Sequence, residues 1–373
     1  MKQGLLSIDL LPFWRGITKH PQAPICLPFS LAWDPAGYCR QATEPDVLDK
    51  VVNRYNEEDY TYLTAPPGTS AWANSRGKVQ QDFIEEFSRP DGEMLEIGAG
   101  STYLAKQLIP VLKPQRYIIV DPAMTEAGDG CIEIVKSYFP FPEKNVSSKF
   151  DTVISFASLE HVDNPVAFLQ GVADILKSDG KGLICIPDVT NTFERGDLNE
   201  LMHEHIAYLT PETFEHLAAC AGLSVPYMRL RDDLLWAVVT LGKTEQKLMP
   251  LPDLFKDMNR RFISPIEEKA TFIKSILSSR KSIGFHGATN GLCNFLYLSG
   301  LSAEENLYIF DADESKHGSY LPGNPNPIAS PYDPLYSKME IMYVSAMAFY
   351  EAISQFAQTH GSLKPGQIRP LFE

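Results

Sequence analysis

At 373 residues and 44% hydrophobic content the chain exceeds one usual domain and can bury two or three ordinary cores. Its formal net charge of −14 and pI near 5.1 argue against a nucleic-acid or anionic-lipid surface, because counterion release needs clustered Lys and Arg. No apolar run reaches bilayer length, and Asp9 and Pro12 interrupt any signal-like core, so a cytoplasmic protein with no membrane partner is expected.

Residues 1–88 read as a small N-terminal region. Pro21, Pro24, Pro28 and Pro35 break any long element, while Trp33, Trp72 and several tyrosines supply packing. The six cysteines, Cys26, Cys39, Cys131, Cys185, Cys220 and Cys293, are scattered without a C-x-x-C pair. Neither a disulfide framework nor a tetrahedral zinc site is expected, and no metal is assigned. Tyr60-Thr61-Tyr62-Leu63-Thr64 precedes Pro66-Pro67-Gly68 and a helix predicted from about Ala71 to Phe87. Such an aromatic, turn-rich segment either lies over a ligand mouth or serves as a hydrophobic strap.

Residues 89–245 centre on Met94-Leu95-Glu96-Ile97-Gly98-Ala99-Gly100. Met94, Leu95 and Ile97 predict a buried strand, Gly98 and Gly100 a turn where side chains would block a ligand, and Thr102 onward a helix. The third glycine of G-x-G-x-x-G would fall at Tyr103, so the turn is not a dinucleotide fingerprint. Glu96 precedes the glycines, and Asp121, followed by Pro122, ends the next strand at Tyr117 to Val120, the distance expected of a ribose-binding carboxylate. Two acids and two glycines suit an uncharged adenosine better than a pyrophosphate. A tight turn with no ligand is the plain alternative. Cys131 to Val135 is the third strand, with Ser137 and Tyr138 at its carboxyl end, where an adenine needs an apolar partner and a hydrogen bond.

Phe150 to Ser155 is a further strand, closed by Phe156 and followed by Ser158-Leu159-Glu160-His161-Val162. Asn164-Pro165 caps a helix whose Val166, Leu169, Val172 and Leu176 recur at helical spacing, and Gly180 is expected to stop it before a strand at Gly182 to Ile186. This alternation predicts a parallel sheet.

Asn191 to Tyr208 contains Met202-His203-Glu204-His205-Ile206-Ala207-Tyr208, a crossover of the kind that carries active sites in open α/β sheets. His203 and His205 alternate, so a metal there needs ligands that the sequence does not identify. A single histidine base, oriented by a carboxylate, is the better reading, with an exposed structural turn as the alternative. Thr210-Pro211-Glu212 opens a helix through Cys220, with Gly222 beyond its end.

Residues 246–280 read as a charged helical connector. Residues 281–373 repeat the earlier logic: strand Ser282 to Phe285, turn His286 to Gly291, a helix, strand Leu307 to Phe310, then Asp311. Gly287 and Gly291 would permit an anion at the helix start. A purely architectural half-domain is the alternative.

Glu-Ile-Gly-Ala-Gly, Val-Asp-Pro, Phe-Asp-Thr-Val and Leu-Glu-His-Val-Asp-Asn-Pro, in this order, resemble the class I S-adenosylmethionine-dependent methyltransferases over roughly residues 90–242. His-Glu-His-x-x-Tyr at His203 to Tyr208, Tyr60-x-Tyr62, Lys316-x-Gly318 and Leu-Pro-Gly-x-x-x-Pro-Ile from Leu321 extend the resemblance to the sugar C-methyltransferases, which methylate a carbon of a nucleotide-linked keto-deoxysugar. The resemblance implies an α/β protein: a Rossmann-like methyltransferase domain at 89–245, a small N-terminal region, and a connector with a second Rossmann-like, substrate-binding domain at 246–373. It implies S-adenosyl-L-methionine held by Glu96, Gly98, Ala99, Gly100, Asp121, Pro122, Ser137, Tyr138, Ser155 and Phe156. His205 maps onto the family's base, with Glu204, Tyr62 and His161 as active-site lining. Tyr60, Tyr208, His286, Asn290 and Lys316 map to the substrate side, and the partner is a small molecule.

The chain departs from that pattern in four places. The four-cysteine zinc site at the start is absent, Gly291-Leu292-Cys293 replaces a Lys-Gly-Asn, Pro325 replaces a histidine, and a Trp-Asn is missing near Met347-Ala348. An O- or N-methyltransferase of a sugar or other small metabolite, and a catalytically silent scaffold, are the competing functions.

Overall fold

A computed structural model describes residues 3–42, 44–54, 67, 71–141, 149–242 and 249–373. The chain starts with β1 (Gln3–Pro12), β2 (Cys26–Asp34) and β3 (Tyr38–Gln41), an antiparallel meander, then α1 (Pro45–Arg54) and α2 (Ala71–Phe87). The alternating part follows as β4 (Glu93–Ile97), α3 (Tyr103–Leu112), β5 (Arg116–Val120), β6 (Ile132–Val135), β7 (Phe150–Phe156), α4 (Pro165–Ile175) and β8 (Leu176–Pro187). After α5 (Val189–Glu194) the short β9 (Ala207–Tyr208) leads to α6 (Pro211–Cys220) and the hairpin β10 (Leu223–Arg231) and β11 (Leu234–Leu241).

These strands build a seven-stranded sheet in the order β10-β11-β8-β7-β4-β5-β6, parallel from β8 to β6 and antiparallel where β11 meets β8 and β10. Every residue of β7 is buried, as expected of a parallel strand covered on both faces. Strand order reverses between β4 and β7, and a ligand crevice opens outside the carboxyl ends of such a pair. Asn164 caps α4, its side chain accepting from Ala167 N at 2.9 Å. That helix ends at Ile175, and Leu176 is already extended, so Gly180 lies inside β8 and not at a helix stop. A Cβ at Gly180 would stand 2.7 Å from Phe150 O, where the β7–β8 register shifts, so the glycine serves the irregular pairing.

β9, from the crossover, pairs with β3 and completes a four-stranded N-terminal sheet. Downstream come α7 (Met258–Phe262), α8 (Ser264–Leu277), β12 (Ile283–His286), α9 (Asn290–Leu298), β13 (Leu307–Phe310), β14 (Ile341–Val344), α10 (Tyr350–Thr359) and β15 (Ile368–Pro370). The third sheet is wholly parallel, in the order β13-β12-β14-β15, with its own reversal at β12. One apolar core joins Leu6 and Phe29 of the first sheet, Phe193 and Leu201 of the crossover, and Leu292 and Phe295 of α9. The crossover thus packs with the first and third sheets, while Ala207 and Leu209 just beyond the histidines join the core of the seven-stranded sheet. No helix among the described residues is long and apolar enough to cross a membrane.

Candidate active site

Gly98 and Gly100 adopt φ of +69° and +68°, a backbone region that favours glycine, and a Cβ at Gly98 would lie 2.2 Å from Ser158 Oγ. Gly98, Ala99 and Gly100 are half-exposed at the switch point, next to buried Ser101 and Thr102. Asp121 holds this turn: its carboxylate accepts from Gly100 N at 2.9 Å and from Ala123 N at 2.7 Å. Burial raises its pKa, and those backbone donors lower it less. Glu96 is 3% exposed and accepts from the Tyr117 hydroxyl at 2.7 Å; burial pushes it up to about 7. A bare, half-exposed glycine backbone backed by two acids fits an adenosine moiety.

The remaining cofactor candidates divide. Pro122 is half-buried beside Asp121, and Ser155 is buried and in register with Ile97 just before the glycine turn. Ser137 donates to Tyr138 O at 3.0 Å, and Tyr138 is 44% exposed. The Phe156 ring turns into the core against Trp236 and Phe83, so its side chain faces away from a ligand role. Sequence reasoning missed Glu126, whose carboxylate accepts from Thr102 N at 3.2 Å and from the Thr102 hydroxyl, and Pro67, whose carbonyl accepts from Ser101 Oγ at 2.9 Å. Nothing in the local pattern marks either one; both lie far along the chain from the residues they contact.

The histidine segment is pinned from three sides. Gln41 of β3 donates from Nε2 to His203 O at 3.0 Å and to His205 O at 3.2 Å. Asn290 and Asn294 of α9 donate to carbonyls of Asn199, Leu198 and Leu201. Ile206 N donates to Glu160 O at 2.7 Å, and His161 Nδ1 to Glu204 O at 2.7 Å. His203 and His205 then face opposite ways. His203 donates from Nε2 to Pro28 O at 3.2 Å and lies edge-on to Phe13 and Phe29, so it is a core residue of the first sheet. His205 faces Glu160, His161 and Glu200.

His205 Nδ1 stands 3.2 Å from Glu200 Oε2, an ion-pair distance whose alignment falls short of a full hydrogen bond. Burial lowers its pKa, but Glu200, then Glu160 and Glu204, outweigh that and raise it. The carboxylate nearest the ring is thus Glu200, whereas the resemblance had placed Glu204 in the active-site lining. Glu200 sits five residues upstream, outside the His-Glu-His motif, and only the loop's closed path brings it back. His161, its ring centroid 5.1 Å from that of His205, is driven down to about 3 by burial and by His205. Glu160 is buried beside both and rises to about 7 through burial. Tyr60 and Tyr62 lie outside the described residues.

The candidates for the substrate side are engaged within the protein. Tyr208 is buried in β9, donates to Met202 O at 3.2 Å and packs on Phe193. His286 is buried against the Tyr336 hydroxyl at 2.8 Å, and burial lowers it to about 4. Asn290 is occupied by the crossover carbonyls, and Lys316 pairs with Asp311 at 2.8 Å. Gly291 N, where an anion was expected, donates to Asn199 Oδ1 at 2.9 Å, and Leu292 N donates to the capping Thr289 hydroxyl. The protein itself fills that helix start: Asn290 and Gly291 anchor the crossover, while His286 and Lys316 are engaged within the C-terminal unit.

Residues 72–226 match a family described as a methyltransferase domain, and residues 235–365 match a C-methyltransferase C-terminal domain. The chain is similar to C-methyltransferase NovU of Streptomyces niveus, at 22% identity over 320 residues covering 78% of this chain and 73% of the relative. Among solved structures, the CcbJ methyltransferase of Streptomyces caelestis is 12% identical over 52% of this chain and 98% of its own, with a TM-score of 0.37. An S-adenosylmethionine-dependent methyltransferase of Clostridium acetobutylicum is 12% identical over 45% and 90%, with a TM-score of 0.35.

Proposed function

Because the chain is an S-adenosylmethionine-dependent methyltransferase carrying a C-methyltransferase C-terminal domain, we propose that it methylates a carbon of a keto sugar, with His205 as the base that first removes an α-proton. S-adenosylmethionine supplies an electrophilic methyl group when bound. The Gly98–Gly100 turn and Asp121 hold the adenosine end at the switch point, and residues 89–245 form the unit that positions it.

The observation that carries this reading is the setting of His205. A buried imidazole on the crossover, with Glu200 at 3.2 Å and Glu160 and Glu204 nearby, gains basicity and is stabilised once it has taken a proton. Proton removal beside a carbonyl leaves an enolate, whose carbon forms the new C–C bond as the methyl–sulfur bond breaks. The two carbons must lie about 3 to 3.5 Å apart and in line. An enolate oxygen needs a hydrogen-bond donor. His161 already donates its Nδ1 hydrogen to Glu204 O, and Tyr62, which lies outside the described residues, is the donor assigned in this reading. The filled start of α9 favours an acceptor without a phosphate at that place.

The test is solvent exchange. With S-adenosylhomocysteine bound in heavy water, the enzyme should deuterate the α-carbon of a keto sugar, and His205→Asn should slow this by roughly a hundredfold or more while still binding S-adenosylhomocysteine. Full methyl transfer by His205→Asn would sink the assignment. A product whose new methyl sits on oxygen or nitrogen by NMR connectivity would replace C-methylation with the competing transfer, and no cofactor binding by the wild type would leave a scaffold.

A further inference from the structure

Glu200 Oε2 stands 3.2 Å from His205 Nδ1 yet makes no well-formed hydrogen bond among the described residues, so the backbone that carries the carboxylate keeps it there. That backbone is gripped on both sides. Leu198 and Leu201 are fully buried in the core shared by the first and third sheets. Asn290 and Asn294 of α9 donate to the carbonyls of Leu198, Asn199 and Leu201. Between them Asn199, the residue next to Glu200, sends its own side chain to the start of α9, beside the glycine turn of the C-terminal unit.

Both ends of the Asn199 amide are used. Nδ2 donates to Asp197 Oδ1 at 2.7 Å and to Ser345 O, just beyond β14, at 3.0 Å, and Oδ1 accepts from Gly291 N at 2.9 Å. Asp197 Oδ1 also accepts from Asn199 N at 2.9 Å, so the residue is held by backbone and side chain together. Two donors and an acceptor on one short side chain are what a carboxamide offers; an ionised aspartate has no donor, and alanine has neither. The helix start is shaped for this occupant, since a Cβ at Gly291 would stand 2.6 Å from Asn199 Cγ and Oδ1.

We propose that Asn199 is a positioning residue: seated at the start of α9, its carboxamide fixes Glu200 against His205 and thereby couples the C-terminal unit to the base proposed above. The second glycine turn is then more than architecture, because its occupant is the neighbour of the carboxylate that serves the imidazole. The groups facing His205 are Glu200 and Glu204 from its own segment, Glu160 and His161 from the short helical turn at Leu159–His161, and Tyr208 of β9. Only Glu200 lies on the stretch that Asn199 anchors; Glu204 lies beyond it, where Gln41 holds the carbonyls of His203 and His205. Releasing Asn199 therefore withdraws one carboxylate from the imidazolium and leaves the other groups in place. The effect on catalysis rests on His205 being the base, whereas the link from Asn199 through Glu200 to His205 does not.

The experiment is a pH titration, by NMR, of the histidine ring nitrogens in full-length protein isotope-labelled at histidine, the His205 signal being assigned by its loss in His205→Asn. Glu200→Gln should lower the His205 midpoint, and Asn199→Ala should lower it too. The double variant should show no further fall, because both changes withdraw the same carboxylate. Asn199→Ala should also slow α-proton exchange of a keto sugar roughly tenfold, with S-adenosylhomocysteine affinity within about twofold of wild type. An unmoved midpoint in Asn199→Ala, or a double variant in which the two falls simply add, overturns the proposal whatever the loss of thermal stability. Should Asn199→Ala fail to fold, Gly291→Ala, which pushes on Asn199 from α9, decides by the same midpoint. A fall that vanishes in combination with Glu200→Gln supports the link, and an unmoved midpoint overturns it. A lowered midpoint in Asn199→Ala with exchange intact in His205→Asn keeps the positioning and removes His205 as base. Exchange lost in His205→Asn with an unmoved midpoint in Asn199→Ala keeps the base and overturns the positioning.

Discussion

The glycine turns after β4 and β12 are built alike and put to different uses. In each, the first glycine donates its N–H to the end of the adjoining strand at 2.8 Å: Gly98 to Val120 O, Gly287 to Phe310 O. In each, an aspartate beyond that strand reaches back to a backbone N–H of the turn, Asp121 to Gly100 at 2.9 Å and Asp311 to Ala288 at 2.8 Å, and accepts a second from two residues on. The first turn is half-exposed, and no cation pairs with Asp121 among the described residues. The second is buried, Lys316 neutralises Asp311, and Asn199 occupies the helix start. A strand–glycine–helix turn is thus a backbone socket, and what the rest of the chain inserts decides whether it receives a ligand or a neighbouring loop.

The sharpest way to break this contrast is Gly98→Ala. A Cβ there meets Ser158 Oγ at 2.2 Å and forces alanine into φ of +69°, so S-adenosylhomocysteine affinity by calorimetry should fall roughly thirtyfold or more. Gly291→Ala, whose Cβ would meet Asn199 at 2.6 Å, should lower thermal stability and leave that affinity unchanged. Equal loss of affinity in both would mean that the second turn also serves the cofactor. Next in size is Asn294→Leu. It removes the donor to Leu198 O at 3.1 Å and Leu201 O at 2.8 Å, and should cost about 2 to 4 kcal/mol in denaturant unfolding and lower kcat at unchanged S-adenosylhomocysteine affinity. An unchanged kcat would show that α9 does not position the histidine segment.

The cofactor turn was legible because its chemistry is local: strand, glycines and acid follow one another, and Glu96, Gly98, Gly100 and Asp121 come together by adjacency and one crossover. The histidine segment was only half legible. His205 stands in a recognisable motif, but its partner Glu200 depends on a loop closed by Gln41, Asn290 and Asn294, donors from β3 and α9 that no periodicity connects to it. The same long-range closure engages Asn290 and Tyr208 within the protein, and His286 is held by Tyr336 of its own unit. Gly180 misled for a different reason, since glycine marks a helix end and an irregular strand pairing equally well.

The smallest predicted effects concern the acids that back the two turns. Glu96 occupies the second position before Gly98, whereas Phe285, stacked on Tyr343, occupies the second position before Gly287. Burial lifts the folded-state pKa of Glu96 from 4.5 to about 7, so the folded chain holds a proton that the unfolded chain releases between those values. Stability of the cofactor-free protein should therefore fall as pH rises from about 4.5 to 7, by on the order of 2 to 3 kcal/mol, and level off above. Glu96→Gln should remove its share of that slope in denaturant titrations, Glu160 and Asp197, which burial also lifts to about 7, keeping theirs, while Phe285, which does not titrate, contributes nothing to it. A slope undiminished in Glu96→Gln would assign the proton to another buried acid, and Glu160→Gln, at a carboxyl that burial likewise lifts to about 7, would then be the variant that reduces it.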